Sequence, residues 1–120
     1  MPLPLARRRI GQTRLPVRVP AVTEAIGLPG GPARGNAEHL RSGGMLLRLE
    51  WPLVPRAPVR VTLRLSRRPP LSLTGAVAWV ESHPDGGGWV QGIRFSEGLP
   101  AEVVAEIADA EYPPWRALAR

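Results

Sequence analysis

Gly43-Gly44-Met45-Leu46-Leu47-Arg48-Leu49-Glu50-Trp51 carries the clearest structural signal in the chain. Met45, Leu47, Leu49 and Trp51 recur at period two, with Arg48 and Glu50 between them. That alternation predicts a strand with one face buried and one in water. The glycine pair ahead of it permits a backbone entry that residues with a Cβ avoid, and would leave N–H groups open to a ligand.

Working outward, the same signal returns. Val22–Leu28 predicts a first strand, stopped by Pro29-Gly30-Gly31-Pro32, and Arg34–Leu40 its hairpin partner. After Pro52, Pro55 and Pro58, Val59, Val61, Leu63 and Leu65 alternate with Arg60, Thr62 and Arg64. Leu71–Val80 carries Leu71, Leu73, Gly75, Val77 and Trp79 on one face, and Gly75 suggests a bulge or bend. Pro84-Asp85-Gly86-Gly87-Gly88 is a hairpin tip from which Trp89–Phe95 returns. Trp51, Trp79 and Phe95 are expected on inward faces. From Pro100, Val103, Val104, Ile107 and Ala108 repeat at helical spacing with Glu102, Glu106 and Asp109 outside. The sum is an all-β fold: a small six-stranded antiparallel β-barrel with a C-terminal helix and a flexible basic N-terminal arm. The expected division is residues 1–13 as the arm, 14–110 as barrel and helix, and 111–120 as a tail. Tyr112 and Trp115 of that tail are expected to dock on the body or meet a partner.

Composition narrows the chemistry. The 120 residues make one domain, and without cysteine there are no disulfides, thiolate zinc sites or cysteine nucleophiles. All 16 basic residues are arginine, against 10 acids, for a net charge of +6. Guanidinium groups grip phosphates with two N–H bonds and stack on flat rings. Arg7, Arg8, Arg9, Arg14 and Arg18 crowd the start, and acids crowd the end, so an anionic partner is expected for the amino-terminal part. Pro16 and Pro20 favour an extended path on which Arg14 and Arg18, four apart, project to one side. Ser82-His83-Pro84-Asp85 is read as turn chemistry, since His39 and His83 are too few for a metal set. No acid–base pair or nucleophile constellation appears, so an enzyme is not expected. Nor does any apolar run span a bilayer, and the arginines follow the opening apolar piece instead of preceding it as in a secretory signal. Cytoplasmic residence without membrane insertion is expected.

Four motifs in one order carry a resemblance: Arg14-Leu-Pro-Val-Arg18-Val-Pro, Ser42-Gly-Gly-Met-Leu-Leu47, Gly75-Ala-Val-Ala-Trp-Val80 and Gly92-Ile-Arg-Phe95. Together, from about Arg14 to Ile107, they resemble the PilZ domain family. The resemblance implies a six-stranded barrel serving as a bacterial receptor for cyclic di-GMP, with no other cofactor. It implies that Arg14 and Arg18 hold the ligand, with Arg8 and Arg9 adding contacts once the arm folds over. Placing the first motif arginine at Arg8 or Arg9 instead would leave Gln12 or Thr13 at its second position. The family's second motif, an Asp or Asn, then x-Ser-x-x-Gly, is altered here. With its glycine on Gly44, His39 replaces the acid or amide and Arg41 the serine. His39 can accept a hydrogen bond, whereas Arg41 can only donate. Either the pocket is rewritten around an arginine, or the chain is an adaptor that has lost the nucleotide, as family members in type IV pilus assembly and motility have. The expected partners are cyclic di-GMP and an unidentified protein effector, the chain being a monomer or weak dimer. A nucleic-acid polymer is not expected, because the charged arm has no interleaved aromatics.

Overall fold

The structure, a computed structural model, describes residues 14–111. The elements are β1 (Leu15–Ala25), β2 (Ala33–Arg41), β3 (Gly44–Leu49), β4 (Pro58–Leu63), β5 (Leu71–Ser82), β6 (Trp89–Phe95) and α1 (Ala101–Ala110). The strands close into a barrel in the order β1-β2-β3-β6-β5-β4, every pair antiparallel. Closure pairs β1 with β4 and so joins the two ends of the sheet, and the alternating apolar residues meet along the axis. Leu40, Leu47, Leu49, Val59, Val61, Leu63 and Val77 form the centre of that core, all fully buried. Val104, Ile107 and Ala108 pack one stripe of α1 against the same core, with Pro100 at its N-cap.

The first strand departs from expectation. It begins at Leu15, through both prolines, and ends at Ala25, where Val22–Leu28 was predicted. Val17, Val19, Ala21 and Thr23 point inward while Arg18, Pro20 and Glu24 point out, so the period-two pattern simply starts earlier. The prolines are tolerated because β4 pairs with β1 only from Ala21 onward. Pro20 still accepts a bond on its carbonyl from Arg64 N at 2.9 Å. The Arg18 N–H, beyond the reach of β4, donates instead to the carbonyl of Glu111 at 3.1 Å. Ile26 and Leu28, predicted in the strand, lie in the turn with Gly27, whose φ is +76°.

Two tryptophans expected inside are not. The third strand stops at Leu49, and Trp51 lies beyond it, 47% exposed. Its end of the barrel is filled by fully buried Gln91, whose Oε1 accepts from Leu53 N at 2.8 Å and whose Nε2 donates to the Trp51 carbonyl at 3.0 Å. Trp79 is turned outward by a register shift between Val77 and Trp79, two residues past Gly75, where the bulge was expected. Gly75 serves close packing instead: a Cβ there would lie 2.2 Å from the carbonyl oxygen of Arg94 on β6. Phe95 is buried as expected, and Leu65 is buried although it lies just past β4.

Thr23 is fully buried and its hydroxyl has no hydrogen-bond partner among the described residues. An unsatisfied buried hydroxyl costs about 1–3 kcal/mol, and valine has nearly the same shape without it. Thr23→Val should therefore stabilise the barrel by about 1 kcal/mol in urea unfolding; a loss of stability would show that the hydroxyl is satisfied.

Candidate functional site

Three of the barrel's strand pairs contain a place where one strand carries one residue more than its partner. In β2, Ala37 pairs with Leu47 and His39 with Leu46, leaving Glu38 over. In β5 the extra residue is Ala78, between Val77, opposite Ile93, and Trp79, opposite Gly92. β1 is longer than β2 between Pro16 and Val19. A bulge of this kind puts two consecutive side chains on the outer face. Ala37 and Leu40 both point inward, so Glu38 and His39 both face out. Val77 and Val80 likewise pack on the core, with Ala78 and Trp79 outside.

These displaced side chains line two adjoining cavities. One, of about 50 Å³, is bounded by Arg14, His39, Arg41, Gly44, Trp79 and Gly92 among others. The second, more open and about 370 Å³, is lined by Arg18, Asn36, Glu38, His39 and Arg48 with Pro16 and Val17. His39 is the shared wall, and its Nδ1 is buried with no hydrogen-bond partner among the described residues. The structure thus brings Arg14, Arg18, His39, Arg41 and Gly44 into one region. Arg14 and Arg18 are both exposed but line different cavities, so they flank His39 and do not share a single pocket. Arg8 and Arg9, with Arg7, lie outside the described residues, as do Tyr112 and Trp115.

Each glycine here has a specific task. At Gly44 a Cβ would lie 2.2 Å from the Ile93 carbonyl oxygen, so that glycine lets β6 come close. The expected Cβ-avoiding backbone entry is absent, since neither Gly43 nor Gly44 has a positive φ, and the close approach of β6 is what requires the glycine at 44. At Gly43 a Cβ would meet Arg41 Nη1 at 2.6 Å, so the guanidinium lies over the turn. At Gly92 it would fall 2.3 Å from Trp79 Nε1: the glycine supplies the bed on which the indole rests.

Sequence reasoning missed Arg48 and Trp79 as site residues. Apolar residues three apart inside an alternating strand, Ala37 to Leu40 and Val77 to Val80, are the signal that the face has changed. Arg48 is held at the cavity edge by a network. Its Nε lies 3.3 Å from Glu38 Oε2, its Nη1 3.7 Å from Asp85 Oδ2 and its Nη2 2.7 Å from His83 Nε2. Arginine only donates, so His83 Nε2 accepts and the ring proton on Nδ1 is given to Asp85 Oδ1 at 2.5 Å. Gly87 N donates to the same oxygen at 2.6 Å. That backbone bond, then His83 and Arg48, hold the Asp85 carboxyl below its ordinary pKa. At the other end of the site, buried Glu111 accepts from Ser66 N at 2.7 Å and Ser66 Oγ at 2.6 Å, while its carbonyl holds Arg18 N.

With this geometry in hand, comparison with known proteins is direct. The PilZ domain family matches residues 8–110. The chain belongs to the PilZ domain family. Among solved structures, that of the Bacillus subtilis inhibitor of motility MotI/DgrA superposes with a TM-score of 0.64 at 11% sequence identity. The match covers 91% of this chain and 52% of that one, so the chain spans about half the length of its neighbour, and the likeness establishes the fold. No curated protein matches the sequence. Membership of the PilZ family associates the barrel with cyclic di-GMP signalling. No helix of the described residues is long and apolar enough to cross a membrane.

The depressed pKa of Asp85 sets the sign of a pH effect. Its ionised carboxylate stabilises the β5–β6 hairpin above the ordinary carboxyl value of 3.8, and that contribution is lost as pH falls through the lower folded value. Asp85→Asn should speed amide exchange at Gly86–Gly88 near neutral pH, and the difference from wild type should vanish in stronger acid. A difference that persists there would contradict this assignment.

Proposed function

We propose that this PilZ domain is a cyclic di-GMP receptor that binds the nucleotide across the two cavities flanking His39 and passes the event to a protein partner. The observation that carries the reading is the convergence of Arg14, Arg18 and Arg41 with the outward-turned Trp79 around a histidine whose Nδ1 is buried without a partner among the described residues. Cyclic di-GMP offers two phosphates and two guanines. Arginine forks onto phosphate oxygens or onto O6 and N7 of guanine, and an indole face stacks on a base. His39 supplies a polar atom that a guanine edge can satisfy. Arg41 stands where the family has a serine, and a phosphate suits its donors better than a base edge does. Arg8 and Arg9 are proposed to close over the bound nucleotide. Because the Arg18 backbone is bonded to the end of α1, ligand contact at Arg18 bears directly on the segment that leaves the helix.

A second reading, a nucleotide-free adaptor, is favoured by one observation. Arg48 is already engaged by Glu38, His83 and Asp85, so the larger cavity is partly neutralised from within. A motility component is then a natural partner class, given how the structural neighbour is described. Both readings make the protein a cytoplasmic, non-enzymatic monomer or weak dimer, acting on neither nucleic-acid polymer nor membrane interior.

Calorimetry decides between them. Wild-type protein should bind cyclic di-GMP, with Arg14→Ala and Arg18→Ala each costing about 2 kcal/mol, roughly thirtyfold in Kd. Trp79→Ala should cost about 1–3 kcal/mol, as loss of a stacked base does. No heat at millimolar nucleotide, or binding indifferent to both arginines, rejects the receptor. A stable partner captured without nucleotide then supports the adaptor.

A further inference from the structure

The arginines of the site are not the only ones left without acids. On the outer wall of the barrel, Val22 of β1 stands opposite Arg34 of β2 on one side and Thr62 of β4 on the other. Arg64 follows two residues after Thr62 on the same face, its backbone N–H bonded to the Pro20 carbonyl. A groove of about 310 Å³ runs here, lined by Pro20, Val22 and Pro70 with Arg34, Thr62 and Arg64. Strand spacing and the two-residue offset in register put the Arg34 and Arg64 backbones about 12 Å apart across β1, within converging reach of two extended side chains.

The charge balance around the groove is one-sided. Arg48 and Arg68 have carboxylate partners in Glu38, Asp85 and Glu106, whereas neither Arg34 nor Arg64 forms an ion pair with another described residue. Nearby Glu50 accepts from the Arg34 backbone N–H at 3.0 Å, not from its guanidinium. The one acid of this face on β1, Glu24, lies directly opposite Arg60. Two exposed guanidinium groups therefore border one groove with an apolar floor of two prolines and a valine. The Thr62 hydroxyl lines the same groove, two residues before Arg64, its only described partner being Ser72 Oγ at a long 3.4 Å.

We propose that this groove is a second anion site, separate from the cavities at His39, which takes the phosphate of a soluble mononucleotide. Two forked donors and a hydroxyl from two strands suit the several acceptor oxygens of a phosphate. The proline and valine floor suits the flat face of a base or ribose, and a diffuse headgroup layer would have no use for it. The volume lies at the low end of ligand pockets, roughly 300–1,000 Å³, which fits one nucleotide and not a cyclic dinucleotide. Arginines on the neighbouring strand positions, Arg18 and Arg60, extend the field that draws an anion to the wall.

The test is an NMR titration of the full chain carrying Arg14→Ala and Arg18→Ala, with GMP and, separately, inorganic pyrophosphate as probes. Both should shift the Val22, Thr62 and Arg64 amides saturably, GMP the more tightly. Adding Arg34→Gln and Arg64→Gln should weaken GMP binding about tenfold or more, with an unchanged melting temperature showing that the barrel is intact. Control Arg60→Gln and Arg67→Gln, which removes equal charge beside the groove, should leave most of the affinity. The proposal is overturned if no saturable shift occurs. It is equally overturned if the control weakens binding as much, or if the two groove arginines govern sedimentation with phosphatidylglycerol vesicles while GMP leaves their signals unmoved.

Discussion

Closure of the barrel is the constraint on which everything else rests. Where a strand of the closed sheet pairs on both sides, as β2 does, an extra residue cannot be absorbed at a free edge and emerges as a bulge. The extra Glu38 in β2 and the extra Ala78 in β5 bring His39 and Trp79 to the outer face. Regular alternation onward from Ala37 and Val77 would instead turn both side chains into a core that Leu40, Leu47 and Val77 already fill. Opposite Glu38, β1 keeps its period of two, with Val17 and Val19 buried and Arg18 in solvent. The candidate site is thus a by-product of register, set by the same backbone pairing that makes the fold.

Electrostatics divides the arginines by task. Those with carboxylate partners, Arg48 and Arg68, hold the hairpin tip and the helix to the barrel. Surface pairs of this kind contribute about 0–1 kcal/mol each, so their value is more in positioning than in stability. Arg14, Arg18 and Arg41 stand beside cavities instead, and there a second cation is tolerable only because water screens it or an anion arrives. Glu111 connects the two groups: its carboxylate fixes the chain after β4 through Ser66, and its carbonyl fixes the backbone of Arg18. A ligand that pulls on Arg18 therefore loads the end of α1 through one hydrogen bond.

The alternation of Met45, Leu47 and Leu49, of Val59, Val61 and Leu63, and the helical spacing of Val104, Ile107 and Ala108 were legible because each records burial on a single face. From these the barrel, its strand count and its helix follow, and the ordered motifs pointed to the PilZ family. The first strand was misplaced because Pro16 and Pro20 read as strand breakers. They are harmless here because β4 pairs with β1 only from Ala21 onward, which a sequence does not reveal. Trp51 and Trp79 were misassigned for a different reason. Period two was extrapolated past a strand end at Leu49 and through the bulge at Ala78, and one residue of slippage reverses every later side chain. Gln91 was invisible as a core residue because its burial depends on the Trp51 and Leu53 backbone groups it satisfies.

Trp79 is the residue through which the account is most exposed, since its indole reaches the outer face only if the β5 bulge exists and meets a ligand only if the cavities are a binding site. The direct measurement is an intermolecular NOE spectrum of the wild-type chain saturated with cyclic di-GMP. Cross-peaks are expected from a guanine H8 or ribose proton to the Trp79 indole, together with a shifted His39 ring. A Trp79 indole that contacts only Val77 and Ile93 in the core, or that is untouched while nucleotide is bound elsewhere, would contradict it.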